Sequence, residues 1–199
     1  MTYLASRGRG LAAALLIGLA LAACGTPRPV FPELDFAARP ALRFDVAGIE
    51  LEQSYAAPIR QPHVDHLAPV PPADAALRWA EQRLEAAGTS RRLRYDVTEA
   101  GIVEVPLETT GGIKGLFLNQ QSKRYEAEVA IEVTILADDG FVEGQASVAG
   151  TRSSTLAENA SEVDRQRLWF ELTRDLMADL DRQLETTLTR DLAKFLLPQ

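Results

Sequence analysis

The chain has 199 residues, 21 of them basic and 28 acidic, for a net charge of −7, and 46% of its side chains are hydrophobic. This suits one folded domain and not a disordered chain, and the acidity excludes nucleic acid as a partner, because that needs a basic footprint. A lone cysteine, Cys24, excludes an internal disulfide and any thiolate cluster.

Arg7 and Arg9 lie near the start, an apolar run spans residues 11–22, and small residues lead to Cys24. A positive start, a short apolar stretch and a small-residue cleavage site make a secretory signal. The run is shorter than the ~20 residues of a membrane-spanning helix. Leu21-Ala22-Ala23-Cys24 resembles the lipobox of bacterial lipoproteins. The resemblance implies removal of residues 1–23 and lipidation of Cys24. Two or more acyl chains anchor a protein stably. The chain from Cys24 onward carries 19 basic and 28 acidic residues, a net charge of −9, so its body should not lie on anionic head groups. Gly25 stands where Asp favours the inner membrane in enteric lipoproteins. The resemblance therefore implies the periplasmic face of the outer membrane.

Residues 24–41 hold Pro27, Pro29, Pro32 and Pro40 and read as a tether, against which Val30, Phe31, Leu34 and Phe36 offer material for docking back onto the domain. The domain is expected over 42–199. Leu42, Phe44 and Val46, then Ile49 and Leu51, read as one strand with a bulge at Gly48. After a proline-punctuated loop, Pro71 and Pro72 open a helix over 73–87, with Gly88 as its stop and Trp79 off its buried face. Leu93, Tyr95 and Val97, then Val103, Val105 and Leu107, read as one long strand bent at Glu99-Ala100-Gly101. Pro106 places its end at a sheet edge.

Tyr125 to Ile135 alternate most regularly, with Glu126, Glu128 and Glu132 on the opposite face, and Asp138-Asp139-Gly140 reads as a hairpin turn. In the next strand Val142, Gly144, Ala146, Val148 and Gly150 share a face small enough for a helix to press on. Residues 161–197 read as a helix opened by a Ser161/Asp164 capping box. Its leucines recur every four residues from 168 to 196. That stripe turns ~40° per step. Leu184, Leu188, Leu192 and Phe195 should thus face away from the side that carries Leu168 and Leu172.

The element order is β-α-β-β-β-α. It predicts an α+β fold: a four-stranded mixed, mostly antiparallel sheet with two helices on one face. The order is similar to that of the lipopolysaccharide-assembly lipoprotein and of the auxiliary lipoproteins of ABC-type lipid transporters, and the chain looks broadly like uncharacterised lipoproteins of Gram-negative bacteria. What this implies is a non-catalytic binding or assembly factor in envelope biogenesis or lipid transport, docking to an envelope protein.

Enzymatic signals are few. His63 and His66, with Asp65 between them and either Asp65 or Glu52 as a third ligand, are the candidates for a metal or a general base. No Gly-x-Ser-x-Gly elbow occurs. Glu126, Glu128 and Glu132 read as a solvated strand face. Gly111-Gly112-Ile113-Lys114-Gly115 lacks P-loop spacing. No cofactor or metal is expected, and an envelope enzyme using the His63/His66 loop is the alternative. The candidate partner surface is the apolar loop tip of Ile113, Leu116, Phe117 and Leu118, together with Leu184, Leu188, Leu192 and Phe195 on the last helix.

Overall fold

Strict apolar alternation builds the long strands, and in the computed structural model, which describes residues 29–108 and 121–198, they form the centre of the domain. Strands β1 (Leu42–Phe44) and β2 (Gly48–Gln53) precede helix α1 (Pro72–Arg83). Then come β3 (Leu84–Ala86), β4 (Arg92–Pro106), β5 (Gln121–Leu136), β6 (Val142–Ala157) and helix α2 (Glu162–Asp191). The main sheet runs β2-β4-β5-β6; β2 and β4 are parallel and the remaining neighbours antiparallel. Both helices pack on one face, α1 chiefly on β4 and α2 on β6. The fold is the α+β arrangement expected, with a short second sheet added, in which β1 pairs parallel with β3.

That second sheet corrects two expectations. Residues 42–51 are not one bulged strand: β1 and β2 belong to different sheets. The first helix ends at Arg83, and residues 84–86 leave it to pair with β1. Gly88 is needed for close approach and does not cap a helix. A Cβ there would lie 2.6 Å from the Asp45 carbonyl carbon and from the Val46 nitrogen. Trp79 is fully buried, not at a rim. Its Nε1 donates to Asp181 Oδ1 at 2.8 Å, and its ring stacks on Tyr95 with centroids 6.0 Å apart.

The compact unit begins at Phe31. Leu34 is buried, and the Phe31 ring lies 5.2 Å from that of Phe170. The Phe36 N–H donates to Gln82 Oε1 at 2.7 Å. The segment from Phe31 thus docks on the domain, as its apolar residues allowed.

In β4 the pairing slips between Val97 and Glu99. One extra residue in a strand exchanges its two faces beyond that point. Leu93, Tyr95 and Val97 point inward before the bulge, and Ala100 and Ile102 after it. Val103 and Val105 thereby turn to the sheet's outer face, at the place where the sequence suggested a bend. Glu104 turns in, where it accepts from Lys123 Nζ at 2.7 Å and from the Tyr125 hydroxyl at 2.6 Å. Burial works against its charge, but those bonds outweigh burial and hold the Glu104 carboxyl below the usual range.

Helix α2 starts in the expected capping box, Ser161 Oγ accepting from the Asp164 N–H at 3.2 Å and the Asp164 carboxylate from the Ser161 N–H at 3.0 Å. Leu184, Leu188 and Leu192 are fully buried and Phe195 nearly so. These four are core residues, which corrects their assignment to a partner surface. Two causes combine. The strands β5 and β6 have 16 residues each, which is ~50 Å at ~3.3 Å per residue. The 30-residue helix spans ~45 Å and does not overhang. Sheets also twist right-handedly, so a stripe that rotates along a helix can stay on a long strand. Leu176 and Leu180 sit over Gly150, and Leu192 and Phe195 over Gly144. Past the helix the chain returns to β1: the Asp45 N–H donates to Phe195 O at 2.7 Å, and the Leu197 N–H to Arg43 O at 2.8 Å.

Ile131 is buried between sheet and helices while Glu128 is exposed on the other face. Ile131→Ala should cost ~2–5 kcal/mol, and Glu128→Ala no more than ~0.5 kcal/mol. Denaturant melts of both variants check this; equal losses would reverse the assignment of faces.

Candidate functional site

The face of the sheet opposite the helices is charged and acidic. Glu50 and Glu52 on β2 pair with Arg92 and Arg94 on β4 at 3.0 and 3.4 Å, and Arg124 pairs with Glu126 on β5 at 2.7 Å. Asp96 accepts from the Ser54 N–H and hydroxyl at 2.9 and 2.7 Å. Glu99, Glu128 and Glu132 make no ion pair among the described residues. Glu126, Glu128 and Glu132 thus form the solvated face expected of them.

The bulge places a cleft of about 450 Å³ on this face, with Glu99, Gly101, Val103, Glu126, Glu128, Arg152 and His63 among its walls. Beyond Val97, β4 has no β2 residue beside it, and the loop after β2 takes that place. The Val64 N–H donates to Ile102 O at 2.8 Å, the Glu104 N–H donates to Pro62 O at 2.8 Å, and His63 bridges Val103. The Tyr55 N–H, donating to Val97 O at 3.0 Å, anchors the start of the loop at the bulge.

The loop carries a buried polar cluster, of which His63 alone lines the cleft. Asp65 is 3% exposed, and its Oδ1 lies 4.0 Å from His63 Nδ1. The Tyr55 hydroxyl stands 3.0 Å from where a Gly101 Cβ would sit, so only glycine leaves it room. Tyr55 Oη, His63 Nδ1 and Asp65 Oδ1 are all buried and lack a hydrogen-bond partner. Burial first, then the charges of Asp65 and Glu99, push the Tyr55 hydroxyl up to about 12. It stays a neutral donor and acceptor at neutral pH.

The two histidines part company. His63 lines the cleft, whereas His66 is exposed. Glu52 is engaged with Arg94. Among the described residues no three His, Cys, Asp or Glu side chains are placed to hold a metal ion. Cys24, the segment 111–115 and the loop tip Ile113, Leu116, Phe117 and Leu118 lie outside the described residues. Sequence reasoning missed Tyr55, Glu99 and Gly101 as neighbours. A glycine inside a strand often marks close approach by another group, and Gly101 was that signal.

Fold and site together define an α+β domain with an acidic open sheet face and a polar cleft beside its bulge. No protein-family model matches the chain, and no curated protein does. Among solved structures it is similar to a minor lipoprotein from Acinetobacter baumannii, at 13% identity over 77% of this chain and 97% of that one, with a TM-score of 0.35. No helix among the described residues is long and apolar enough to cross a membrane. The functional reading rests on the chain's own residues.

Proposed function

We propose that this chain is a lipid-anchored protein of the bacterial cell envelope that binds a partner and does not catalyse a reaction, serving envelope assembly or lipid transport. The observation that carries the reading is the lone cysteine directly after Leu21-Ala22-Ala23, behind a positive start and a short apolar run. Gly25 supports the periplasmic face of the outer membrane. The acidic open face supports binding: like charge keeps it off anionic lipid and leaves it turned toward a protein partner. The alternative, an envelope enzyme working through His63, has in its favour the nearness of His63 and Asp65 beside the cleft.

Cys24→Ser should abolish acylation and leave an uncleaved or soluble species, read by mass spectrometry of the mature N-terminus and by membrane fractionation. An unmodified Cys24 in the parent protein, or cleavage elsewhere, overturns the anchor. For the alternative, a hydrolytic activity found in purified protein and lost in His63→Ala would displace the binding reading.

A further inference from the structure

Strand β6 ends the main sheet on one side, and among the described residues no strand pairs with its outer edge. Every second residue of an edge strand turns its N–H and C=O outward, so the 16 residues of β6 leave about eight such residues open. Native sheets guard an edge with lysine, proline, a bulge or a very short strand. The other edge, β2, has only six residues and carries Glu50 and Glu52. From Gly144 to Thr151 β6 has none of these guards. The run is uncharged and free of proline, and its pairing with β5 stays regular from Gly144 to Leu156.

A groove of about 340 Å³ lies beside the far end of this edge, between Ser154 and Leu156 of β6 and Leu168 and Leu172 of α2. No β5 residue lines it, so it opens on the side of β6 away from β5. Leu156 and Leu172 are buried and Leu168 half-buried, which gives the groove an apolar floor. Its walls set three carboxylates, Asp164, Glu171 and Asp175, against the guanidiniums of Arg152 and Arg167. Arg152 holds Asp175 at 3.3 Å and Arg167 holds Asp164 at 3.7 Å, while Glu171 makes no ion pair among the described residues. At the other end of the edge Phe141 and Val142 are exposed.

We propose that β6 takes up an extended segment of a protein partner as a fifth strand of the main sheet. The segment's backbone satisfies the open row of N–H and C=O groups, its alternate apolar side chains enter the groove, and a basic residue meets Glu171. Helix α2 argues against a second copy of this chain as the occupant. Neighbouring strands lie ~4.8 Å apart, whereas packed helices need ~8–10 Å between their axes. Helix α2 sits over β6 itself, with Leu176 and Leu180 above Gly150 and Leu192 and Phe195 above Gly144. Two copies joined through β6 would drive one α2 into the other. The inference deepens the binding reading above and rests on its protein partner, not on the anchor.

The test uses the full chain in detergent and the capped peptide Lys-Val-Thr-Val-Thr-Val-Lys, followed by calorimetry and by hydrogen exchange read with mass spectrometry. Saturable binding with one site per chain is expected, with exchange over residues 142–157 slowed by about tenfold and exchange over β2 unchanged. The peptide Lys-Val-Thr-Pro-Pro-Val-Lys lacks a donor on each of its sides and should bind at least about tenfold more weakly. Glu171→Lys, at an exposed position, should weaken the first peptide by about fivefold. No saturable binding, equal binding of the proline peptide, parent-like binding by Glu171→Lys, or protection confined to other segments overturns the proposal. A dimer in sedimentation whose β6 amides are protected without peptide would make a second copy the occupant and overturn it too. An unmodified Cys24 with peptide binding intact would remove the anchor and leave the edge assignment standing; an acylated Cys24 without peptide binding would do the reverse.

Discussion

Arg83→Ala is expected to cost ~3–5 kcal/mol, the loss that follows when one member of a buried ion pair is removed. Arg83 is fully buried in the last turn of α1. Its Nε donates to Asp181 Oδ1 at 3.2 Å and its Nη2 to Glu185 Oε2 at 2.7 Å, both on α2. Its Nη1 donates to the Pro40 carbonyl. One guanidinium thus ties together the segment before β1 and both helices. Asp181 also accepts from Trp79 Nε1, and its side chain is only 15% exposed, so the alanine variant leaves its charge to that bond and to the longer, 3.6 Å ion pair with Arg39. Glu185 is 41% exposed and contributes less, because water screens it. Arg83→Lys should lose most of the same stability, since one ammonium cannot span three acceptors fixed for a planar fork. Urea melts measure both variants. A loss below ~1 kcal/mol would show that the network is as weak as a surface pair.

Leu188→Gln should unfold the protein or lower its melting temperature severely. The site is fully buried. Truncating a buried leucine costs ~2–5 kcal/mol, and a buried amide without partners adds ~1–3 kcal/mol. Against a total stability of ~5–15 kcal/mol this leaves little folded protein. Leu192 is expected to behave alike, since it packs over Gly144, where a Cβ would meet its Cδ2 at 2.9 Å. Circular dichroism with thermal melting decides it. A variant that melts like the parent would mean that this side of α2 is free after all, and the partner surface first expected there would return.

The second result inverts what leucine spacing alone suggests, and the reason is physical. A spacing of four rotates a stripe around a straight helix, so a flat, short sheet cannot cover it. Covering it requires two quantities that no single stretch encodes, the length of β5 and β6 and the twist of the sheet they form. The C-terminal residues then close over β1, a contact between the two ends of the domain.

Short-range signals carried much of the fold. The alternation from Tyr125 to Ile135, the turn at Asp138-Asp139-Gly140 and the Ser161/Asp164 box each depend on neighbours a few residues apart, and each forms as read. Local pattern was insufficient where two distant segments compete for one stretch. Residues 84–86 have the composition of a helix end, yet they pair with β1 because Leu42–Phe44 lies beside them.

The candidate site belongs to that second kind. His63 and Asp65 were visible as a polar loop, but their meaning depends on Tyr55 and on the bulge in β4. The bulge moves Val103 to the outer face and leaves Gly101 as the gap that admits the Tyr55 hydroxyl. The sequence by itself determined the strand faces before the bulge and the helix starts, because these follow from periodicity and capping chemistry. Only the tertiary structure decided where α1 stops, which leucines are core and which polar side chains are buried beside the β4 bulge. Those outcomes depend on which distant segments come to lie side by side, and the chain settles that only when it packs.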